Sequence, residues 1–178
     1  MLRSIDGFVG LSLLVDRTSG RCITTTAWQS EAAMHQSDAQ TRPIRERVAT
    51  NMGGRPEVEE WELAVLHRDH SSADGACVRV SWMQVDPAQV DRGVDVYRMV
   101  SLPAMEHLDG FCSASLLVNR DSGRAVSSVT YDSLDAMRRS REQAGALRMT
   151  GASEVQAKML DVGEFDLAIA SLRAPEMA

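Results

Sequence analysis

The chain has 178 residues, of which 44% are hydrophobic and 25% are charged, and its formal net charge is −6. This composition is typical of one ordinary globular domain or two small ones, and it excludes collagen-like, low-complexity and disordered chains. An acidic chain without a basic run repels phosphate backbones, so we expect no nucleic-acid partner.

Three widely spaced cysteines, Cys22, Cys77 and Cys112, form no CxxC pair, so we expect buried, reduced thiols rather than a disulfide framework. No apolar run reaches the ~20 residues that a membrane-spanning helix needs. The apolar segment Phe8–Val15 follows a short N-terminal stretch like that of a signal peptide. However, Asp6 interrupts its entry and the same segment recurs inside the chain. We therefore expect a cytoplasmic protein without a membrane partner.

An internal repeat dominates the sequence. Residues 6–37 align without gaps with residues 109–140 at an offset of 103, with 15 identities in 32 positions. The identities include Asp-Gly-Phe, Ser-Leu-Leu-Val and Ser-Gly-Arg, and similarity of this extent indicates a tandem duplication. We assign residues 1–66 to a first repeat, 67–75 to a polar linker and 76–178 to a second repeat.

The first repeat predicts a hairpin, a helix and a final strand. Strands over 8–15 and 21–28 are joined by a polar turn that contains Gly20. Ser30 is placed to cap a helix over 31–49. The alternation in Trp61-Glu62-Leu63-Ala64-Val65-Leu66 then indicates a strand over 58–66.

The second repeat predicts the same hairpin and helix preceded by a further strand and helix. We expect a strand over 76–85, an apolar helical stripe from Val90 to Leu108, strands over 111–118 and 124–131, a helix over 134–147 and a strand over 155–172. The full order is β-α-β-β-α-β, which is the ferredoxin-like order.

The first repeat lacks its initial strand and helix, because Met1 aligns with Ala104. Either these elements were lost or the gene start lies upstream. Its three remaining strands would leave an exposed sheet edge. Such edges are usually covered, and a homo-oligomer is one way to cover this one.

The strand end Ala27-Trp28-Gln29-Ser30-Glu31 and the hairpin before it resemble the antibiotic biosynthesis monooxygenase-like (ABM) family of dimeric α/β barrels. The resemblance covers essentially the whole chain. It implies an α+β fold in which two ferredoxin-like repeats pack as an intrachain dimeric α/β barrel, with a pocket between each sheet and its helices. It also implies a small hydrophobic or aromatic ligand, because members of the family oxidise anthrone-type polyketides with O₂ and use no cofactor.

The resemblance points to site residues in the first repeat. The monooxygenase motif joins a Trp to an Asn four residues earlier and a Tyr six residues later. Here Trp28 matches, while Thr24 and Met34 occupy the other two positions. His35 follows Met34 and would line the same pocket. We predict Trp28 and His35 as catalytic and Thr24 and Met34 as substrate-binding; simple packing of Trp28 and a solvent-exposed His35 are the alternatives.

In the second repeat the three motif positions hold Tyr131, Ser127 and Met137. We predict that Tyr131 and Met137 bind substrate. Trp82, central in its strand, and Tyr97, on the first helix, are added to this set as residues that could face the pocket. For Trp82, packing in the core is the alternative.

Haem and metal sites are not expected. The positions that the haem-degrading members use hold Ser37 and Arg47 in the first repeat and Ser140 and Thr150 in the second. The linker carries His67-x-x-His70, but the pair has no Cys or acidic ligand assigned to it, so we predict no metal site.

Two functions therefore remain open. The chain is either a cofactor-independent monooxygenase that acts on aromatic, polyketide-like molecules, or a non-catalytic ligand-binding or assembly protein that has lost the catalytic residues of the family.

Overall fold

The computed structural model describes residues 2–172, which divide into two compact units. The first contains residues 2–13, 23–60 and 168–172, and the second contains residues 14–22 and 61–167. Met1 and residues 173–178, which the sequence assigns to the two repeats, lie outside the described residues. Within 2–172, none of the helices combines the length and the apolar character that crossing a bilayer requires.

Seven strands and five α-helices make up the described chain. The strands are β1 (Phe8–Val15), β2 (Cys22–Trp28), β3 (Glu62–Arg68), β4 (Cys77–Gln84), β5 (Phe111–Asn119), β6 (Arg124–Tyr131) and β7 (Lys158–Leu172). The helices are α1 (Glu31–Asn51), α2 (Val90–Val96), α3 (Leu102–Met105), α4 (Leu134–Arg139) and α5 (Arg141–Glu154), and a π-helical segment, Tyr97–Ser101, joins α2 to α3. The fold is therefore α+β, as the sequence predicts.

The first unit is built on the β1–β2 hairpin, with strand order β2-β1-β7. The predicted cap of α1 is confirmed, because the Ser30 hydroxyl accepts from the Ala33 amide at 3.1 Å. Gly7 has φ +75°, and a Cβ at this position would lie 2.5 Å from the Ala33 Cβ. The start of the helix thus packs closely on the backbone before β1, and this approach needs glycine.

The second unit contains an antiparallel sheet in the order β7-β4-β6-β5-β3. Its elements from β4 to β7 follow the predicted order β-α-β-β-α-β. The cap and the glycine contact of the first unit have counterparts here. Ser133 accepts from the Ala136 amide at 3.2 Å, and a Cβ on Gly110 would lie 2.6 Å from the Ala136 Cβ.

Strand β3 corrects one expectation. The first repeat was expected to form its own three-stranded sheet, but β3 pairs with β5 of the second repeat, with Leu63 opposite Leu117 and Leu66 opposite Ser115. The physical reason is burial, because Ala64, Val65 and Leu66 are all buried and a strand with this run needs neighbours on both faces. The strand also ends at Arg68 instead of residue 66, and so extends into the predicted linker.

The structure differs from the prediction in the last helix and in the strand that follows it. The single helix expected over 134–147 is two helices, α4 and α5, that meet at Ser140, whose hydroxyl donates to the Ala136 and Asp109 carbonyls at 2.9 and 3.1 Å. The predicted strand over 155–172 begins at Lys158, because Val155 ends the helix and Gln156 has φ +52°. The apolar stripe from Val90 to Leu108 is confirmed as the buried face of this layer.

Arg79 joins four elements of the second unit, although only 2% of the residue is exposed. It lies on β4 directly opposite Glu164 of β7, and its guanidinium donates to a Glu164 carboxylate oxygen at 2.9 and 3.2 Å. It also donates to the Tyr131 hydroxyl of β6 at 3.2 Å and to the Met137 carbonyl of α4 at 2.8 Å. A buried cation with this many partners fixes the spacing of the sheet and the helix layer.

We predict that replacing Gly123 destabilises the protein more than replacing its repeat counterpart Gly20. Both residues end the hairpin turn with φ near +70°, so alanine strains either backbone by about 1 kcal/mol. A Cβ at Gly20 meets open space, whereas at Gly123 it would overlap the Val85 carbonyl oxygen. Urea unfolding should therefore show an additional loss of about 1–3 kcal/mol in Gly123→Ala over Gly20→Ala. Equal losses would contradict the close packing of the second hairpin.

We predict that Glu164 makes the second unit sensitive to acid. Burial acts to raise the pKa of Glu164, but the hydrogen bonds and charges of Arg79 and Arg141 outweigh it and lower the pKa below its usual 4.5. A lowered pKa stabilises the fold above about pH 4.5, and this stabilisation is lost as the pH falls through the lowered value. The free energy of unfolding should therefore fall less steeply below pH 4.5 in Glu164→Gln than in the wild type.

At pH 7 the same variant should be less stable by about 1–3 kcal/mol, because Arg79 keeps its charge and loses an ionised partner. Glu142→Gln, which changes an exposed glutamate of α5, is the control and should follow the wild type. A wild-type pH profile in Glu164→Gln would show that the Arg79–Glu164 pair adds nothing to stability.

Candidate functional site

A cavity lies in the second unit between the sheet and the helix layer. The cavity and its open mouth together contain about 650 Å³ of space not filled by protein. Most of the residues that line it are apolar. They include Met83, Val94, Met105, Leu116, Val118 and Leu147.

The strand pattern explains why the sheet side of the cavity combines small and apolar side chains. Side chains alternate along a strand, so Ser81 and Met83 of β4 face the cavity, while Trp82 between them points to the opposite face. Ser127 of β6 pairs with Ser81 on one side and with Leu116 on the other. The helix side leaves space at Gly93, where a Cβ would meet open space, whereas a Cβ at Gly151 would lie 2.8 Å from the Ser101 hydroxyl oxygen.

Tyr97 provides one polar group in this apolar cavity. Its hydroxyl lies 3.2 Å from the Ser115 carbonyl oxygen and 3.0 Å from the Ser127 hydroxyl. Since a carbonyl only accepts, Tyr97 donates to Ser115 and Ser127 donates to Tyr97. Burial raises the pKa of Tyr97 to about 12, although the Ser127 hydrogen bond acts to lower it. The phenol is therefore neutral at physiological pH and holds the π-helical segment against the sheet.

Arg148 of α5 provides a charged group. It is half-buried at the cavity wall, and within residues 2–172 no hydrogen bond or ion pair joins its guanidinium to another side chain. Burial lowers the pKa of Arg148, and the charge of Arg79 lowers it further. Arginine nevertheless stays protonated, so the cavity contains a cation whose hydrogen-bond donors are available to a ligand.

A smaller cavity adjoins the first. Ser81, Met105, Ser127, Leu147 and Arg148 line both cavities, and the smaller one continues to Arg79 and Tyr131. Burial raises the pKa of the Tyr131 phenol, while the nearby Arg79 charge acts to lower it. The smaller cavity thus extends from the shared residues to the buried Arg79 and its hydrogen-bond partner Tyr131.

The residues predicted from the first repeat line neither of these two cavities. Trp28 packs edge-to-face on Phe8 with ring centroids 5.5 Å apart, and its Nε1 donates to the Thr26 hydroxyl at 3.2 Å. His35 is exposed and lies 3.1 Å from a Glu60 carboxylate oxygen, which raises its pKa through that hydrogen bond. Thr24 is exposed and Met34 is half-buried. Their roles in binding or catalysis stay predictions.

The residues predicted from the second repeat are closer to the cavities. Tyr97 lines the larger cavity and Tyr131 the smaller one. Met137 is buried and bonds to Arg79 through its carbonyl, but it lines neither. Trp82 lies on the other face of β4, with the guanidinium of Arg21 over its ring at 4.3 Å and Phe165 at 6.4 Å.

Sequence reasoning missed Arg148 and gave Ser127 no role, although Ser127 occupies the motif position that holds Asn in the ABM family. The strand alternation around Ser127 gives a signal for its inward direction. For Arg148 the sequence gives no such signal, since an arginine in a polar helix is typical of a solvated face.

No protein-family model matches the chain. Among solved structures, an anthrone oxidase-like protein superposes with a TM-score of 0.67 and 13% identity over 98% of this chain and 81% of that protein. A ferredoxin fold protein related to antibiotic biosynthesis monooxygenases, from Listeria monocytogenes, has a TM-score of 0.53 and 8% identity over 89% and 80%. At these identities the matches show a common fold, and the α+β, ferredoxin-related fold is confirmed.

Two proteins of Mycobacterium tuberculosis H37Rv are similar in sequence over nearly the whole chain. Rv2557 is 57% identical over 176 residues, which cover 99% of this chain and 79% of that protein. Rv2558 is 54% identical over 177 residues, which cover 99% and 75%. Identity at this level over this length demonstrates common descent. The chain therefore belongs to the protein family that includes Rv2557 and Rv2558.

Proposed function

We propose that the larger cavity of the second unit binds a small aromatic, polyketide-like molecule and that the chain oxidises it with O₂ without a cofactor. The observation that carries this proposal is the Arg148 guanidinium at the wall of an apolar cavity, where it has no hydrogen bond or ion pair to another side chain within residues 2–172. A flat, largely apolar molecule with one acidic oxygen or carbon acid fits such a site, because its body removes apolar surface from water and its anion pairs with the cation.

The reaction that we propose needs only a stabilised substrate anion. An anthrone-type CH₂ group loses a proton to solvent and becomes an enolate, whose negative oxygen Arg148 stabilises. The enolate then supplies the electrons that reduce O₂. The CH₂ carbon becomes a carbonyl that contains one oxygen atom of O₂, and the other oxygen leaves as water, so CH₂ + O₂ gives C=O + H₂O.

The similarity in fold to an anthrone oxidase-like protein supports this substrate class by analogy. We propose that the two repeats are halves of one intrachain barrel of the ABM type, in which only the second, complete repeat keeps a usable cavity. Ser127 occupies the Asn position of the family motif and, beside Tyr97, provides a hydroxyl near the substrate.

A non-catalytic binding protein is the second candidate, and one observation favours it. Of the residues that line the larger cavity, only Tyr97 and Arg148 carry groups that titrate, and neither takes up a proton near neutral pH. The cavity wall therefore offers no general base. In this case the same ligand would bind without oxygen uptake.

We predict that Arg148→Gln lowers the rate of oxygen uptake with an anthrone-type substrate by about 10- to 100-fold, because the variant loses a charged hydrogen bond to the developing anion. The measurement is an oxygen electrode with a panel of reduced polycyclic substrates. Arg138→Gln, at an exposed position of the same helix layer, is the control and should keep the wild-type rate.

Variants of the first unit test whether the reaction takes place at Arg148 or at the predicted residues Trp28 and His35. Trp28→Phe and His35→Gln should leave oxygen uptake unchanged if the second unit alone performs the reaction. Loss of uptake in either variant, with Arg148→Gln unaffected, would move the activity to the first unit. If no substrate of the panel gives uptake, the monooxygenase proposal is wrong.

We predict that filling the cavity abolishes binding. A leucine at Gly93 starts from a lining position that has no other residue's atom within 4 Å of its Cβ, so Gly93→Leu should place its side chain in the ligand space without a clash. Fluorescence titration with 2-naphthoate should show a loss of affinity of at least ~10-fold, since the displaced apolar contact is worth more than about 1.4 kcal/mol.

Gly54→Leu is the matched control, because Gly54 is exposed, also has open space at its Cβ and lines neither cavity. It should bind 2-naphthoate as the wild type does. Titration with the neutral 2-naphthamide tests the charge separately, since Arg148→Gln should weaken the carboxylate and not the amide. Wild-type affinity in Gly93→Leu would exclude this cavity as the binding site.

A further inference from the structure

A second group of chemically active side chains lies in the second unit, away from the cavities. His70 follows β3, Cys112 is on β5, and Asp132 lies between β6 and α4. Their ligand atoms, an imidazole nitrogen, a thiol sulfur and a carboxylate oxygen, all lie within 4.8 Å of one another. Three elements that are far apart in sequence therefore bring metal-binding groups to one point.

Backbone hydrogen bonds hold these three segments together independently of the side chains. The amides of Asp69 and His70 donate to the Cys112 carbonyl at 3.0 and 3.4 Å. The Asp132 amide donates to the Gly110 carbonyl at 2.9 Å. The positions of the three backbone segments are thus set before any ion binds, which lowers the entropic cost of forming a site.

One of the three side chains is buried and the other two are partly exposed, as expected for an ion site near the surface. Cys112 is fully buried, and its thiol donates to the His70 carbonyl at 3.3 Å. The side chains of His70 and Asp132 are 41% and 44% exposed, so an ion can reach them from solvent. One fixed sulfur and two adjustable groups allow the ligand distances to adapt to an ion.

The partners of the His70 ring match those of a metal-binding histidine. Its Nδ1 lies 2.8 Å from an Asp69 carboxylate oxygen, and its Nε2 points to Asp132 at 2.7 Å. A carboxylate on the nitrogen opposite the metal is the usual arrangement, because it fixes the ring orientation and the tautomer. Asp69 is placed for this orienting role, and Nε2 is placed to bind the ion.

We propose that His70, Cys112 and Asp132 bind one zinc ion through Nε2, Sγ and a carboxylate oxygen. The set of nitrogen, sulfur and oxygen ligands suits zinc, and three protein ligands leave the fourth tetrahedral position to water. As the ion binds, the Cys112 thiol releases its proton to solvent and forms the S–Zn bond. The distance between Nε2 and the Asp132 oxygen must widen from 2.7 Å to about 3.3 Å, which a rotation of either exposed side chain supplies.

The site has no counterpart in the first repeat. At the offset of 103 residues, the positions of Cys112 and Asp132 hold Val9 and Gln29 in the first repeat. In the sequence, His67-x-x-His70 is a histidine pair without an assigned cysteine or acidic ligand. The fold separates that pair, since His67 binds Glu106 at 2.9 Å, and it gives His70 the cysteine and the acid instead.

Cobalt(II) titration of the full chain, kept reduced, tests the proposal because a thiolate bound to cobalt has a charge-transfer band in the near ultraviolet. We expect one equivalent of cobalt to produce this band and one equivalent of zinc to remove it. Cys112→Ser should lose the band, while Cys22→Ser, the matched control at a half-buried cysteine, should keep it.

Two further variants keep the test decisive if Cys112→Ser fails to fold. His70→Gln and Asp132→Asn change partly exposed side chains and should each weaken cobalt binding by about 10-fold or more, whereas His107→Gln, at an exposed histidine outside the cluster, should not. Absence of the band in the wild type, its persistence in Cys112→Ser, or unchanged affinity in both ligand variants would overturn the proposal.

Discussion

The second unit depends on one buried cation. Arg79 has almost no exposure, and an isolated charge at that depth would destabilise the fold by several kcal/mol. Glu164, Tyr131 and the Met137 carbonyl compensate for this by accepting hydrogen bonds from three directions. Strand β4 therefore cannot shift against β6, β7 or α4 without leaving the charge unpaired. This constraint gives the sheet and the helix layer a fixed separation, and the two cavities lie in the space between them.

The cavities follow from that separation together with small side chains. Glycines in α2 and α5 and serines on β4 and β6 occupy positions at which larger residues would fill a core. The π-helical segment directs the Tyr97 hydroxyl to the sheet side of the cavity. The polar groups on the sheet side form hydrogen bonds with one another, because the Tyr97 hydroxyl bonds to Ser127 and to the Ser115 carbonyl. Arg148 does not take part in this network, and its charge repels that of Arg79. A ligand anion at Arg148 would relieve this repulsion, which links the packing of the fold to the chemistry that we propose.

The sequence predicts the local elements well and the long-range contacts poorly. The hairpins, the Ser30 cap and the glycine turns depend on neighbouring residues, and the structure has a counterpart of that cap in the second repeat. The pairing of β3 with β5 depends on burial across the whole unit, which a local pattern does not contain. The same limit applies to Arg148, whose exposure depends on the helices around it, and to the His70 cluster, whose members are up to 62 residues apart.

The central claim is that the larger cavity of the second unit holds an aromatic anion beside Arg148. The most direct measurement is a set of nuclear Overhauser contacts between bound 2-naphthoate and methyl groups labelled on the protein. The account predicts contacts from the naphthalene ring to Val94, Leu116 and Val118, which line the cavity, with the carboxylate directed to Arg148. Contacts to methyl groups outside the cavity, or none to these three residues at saturating ligand, would contradict it.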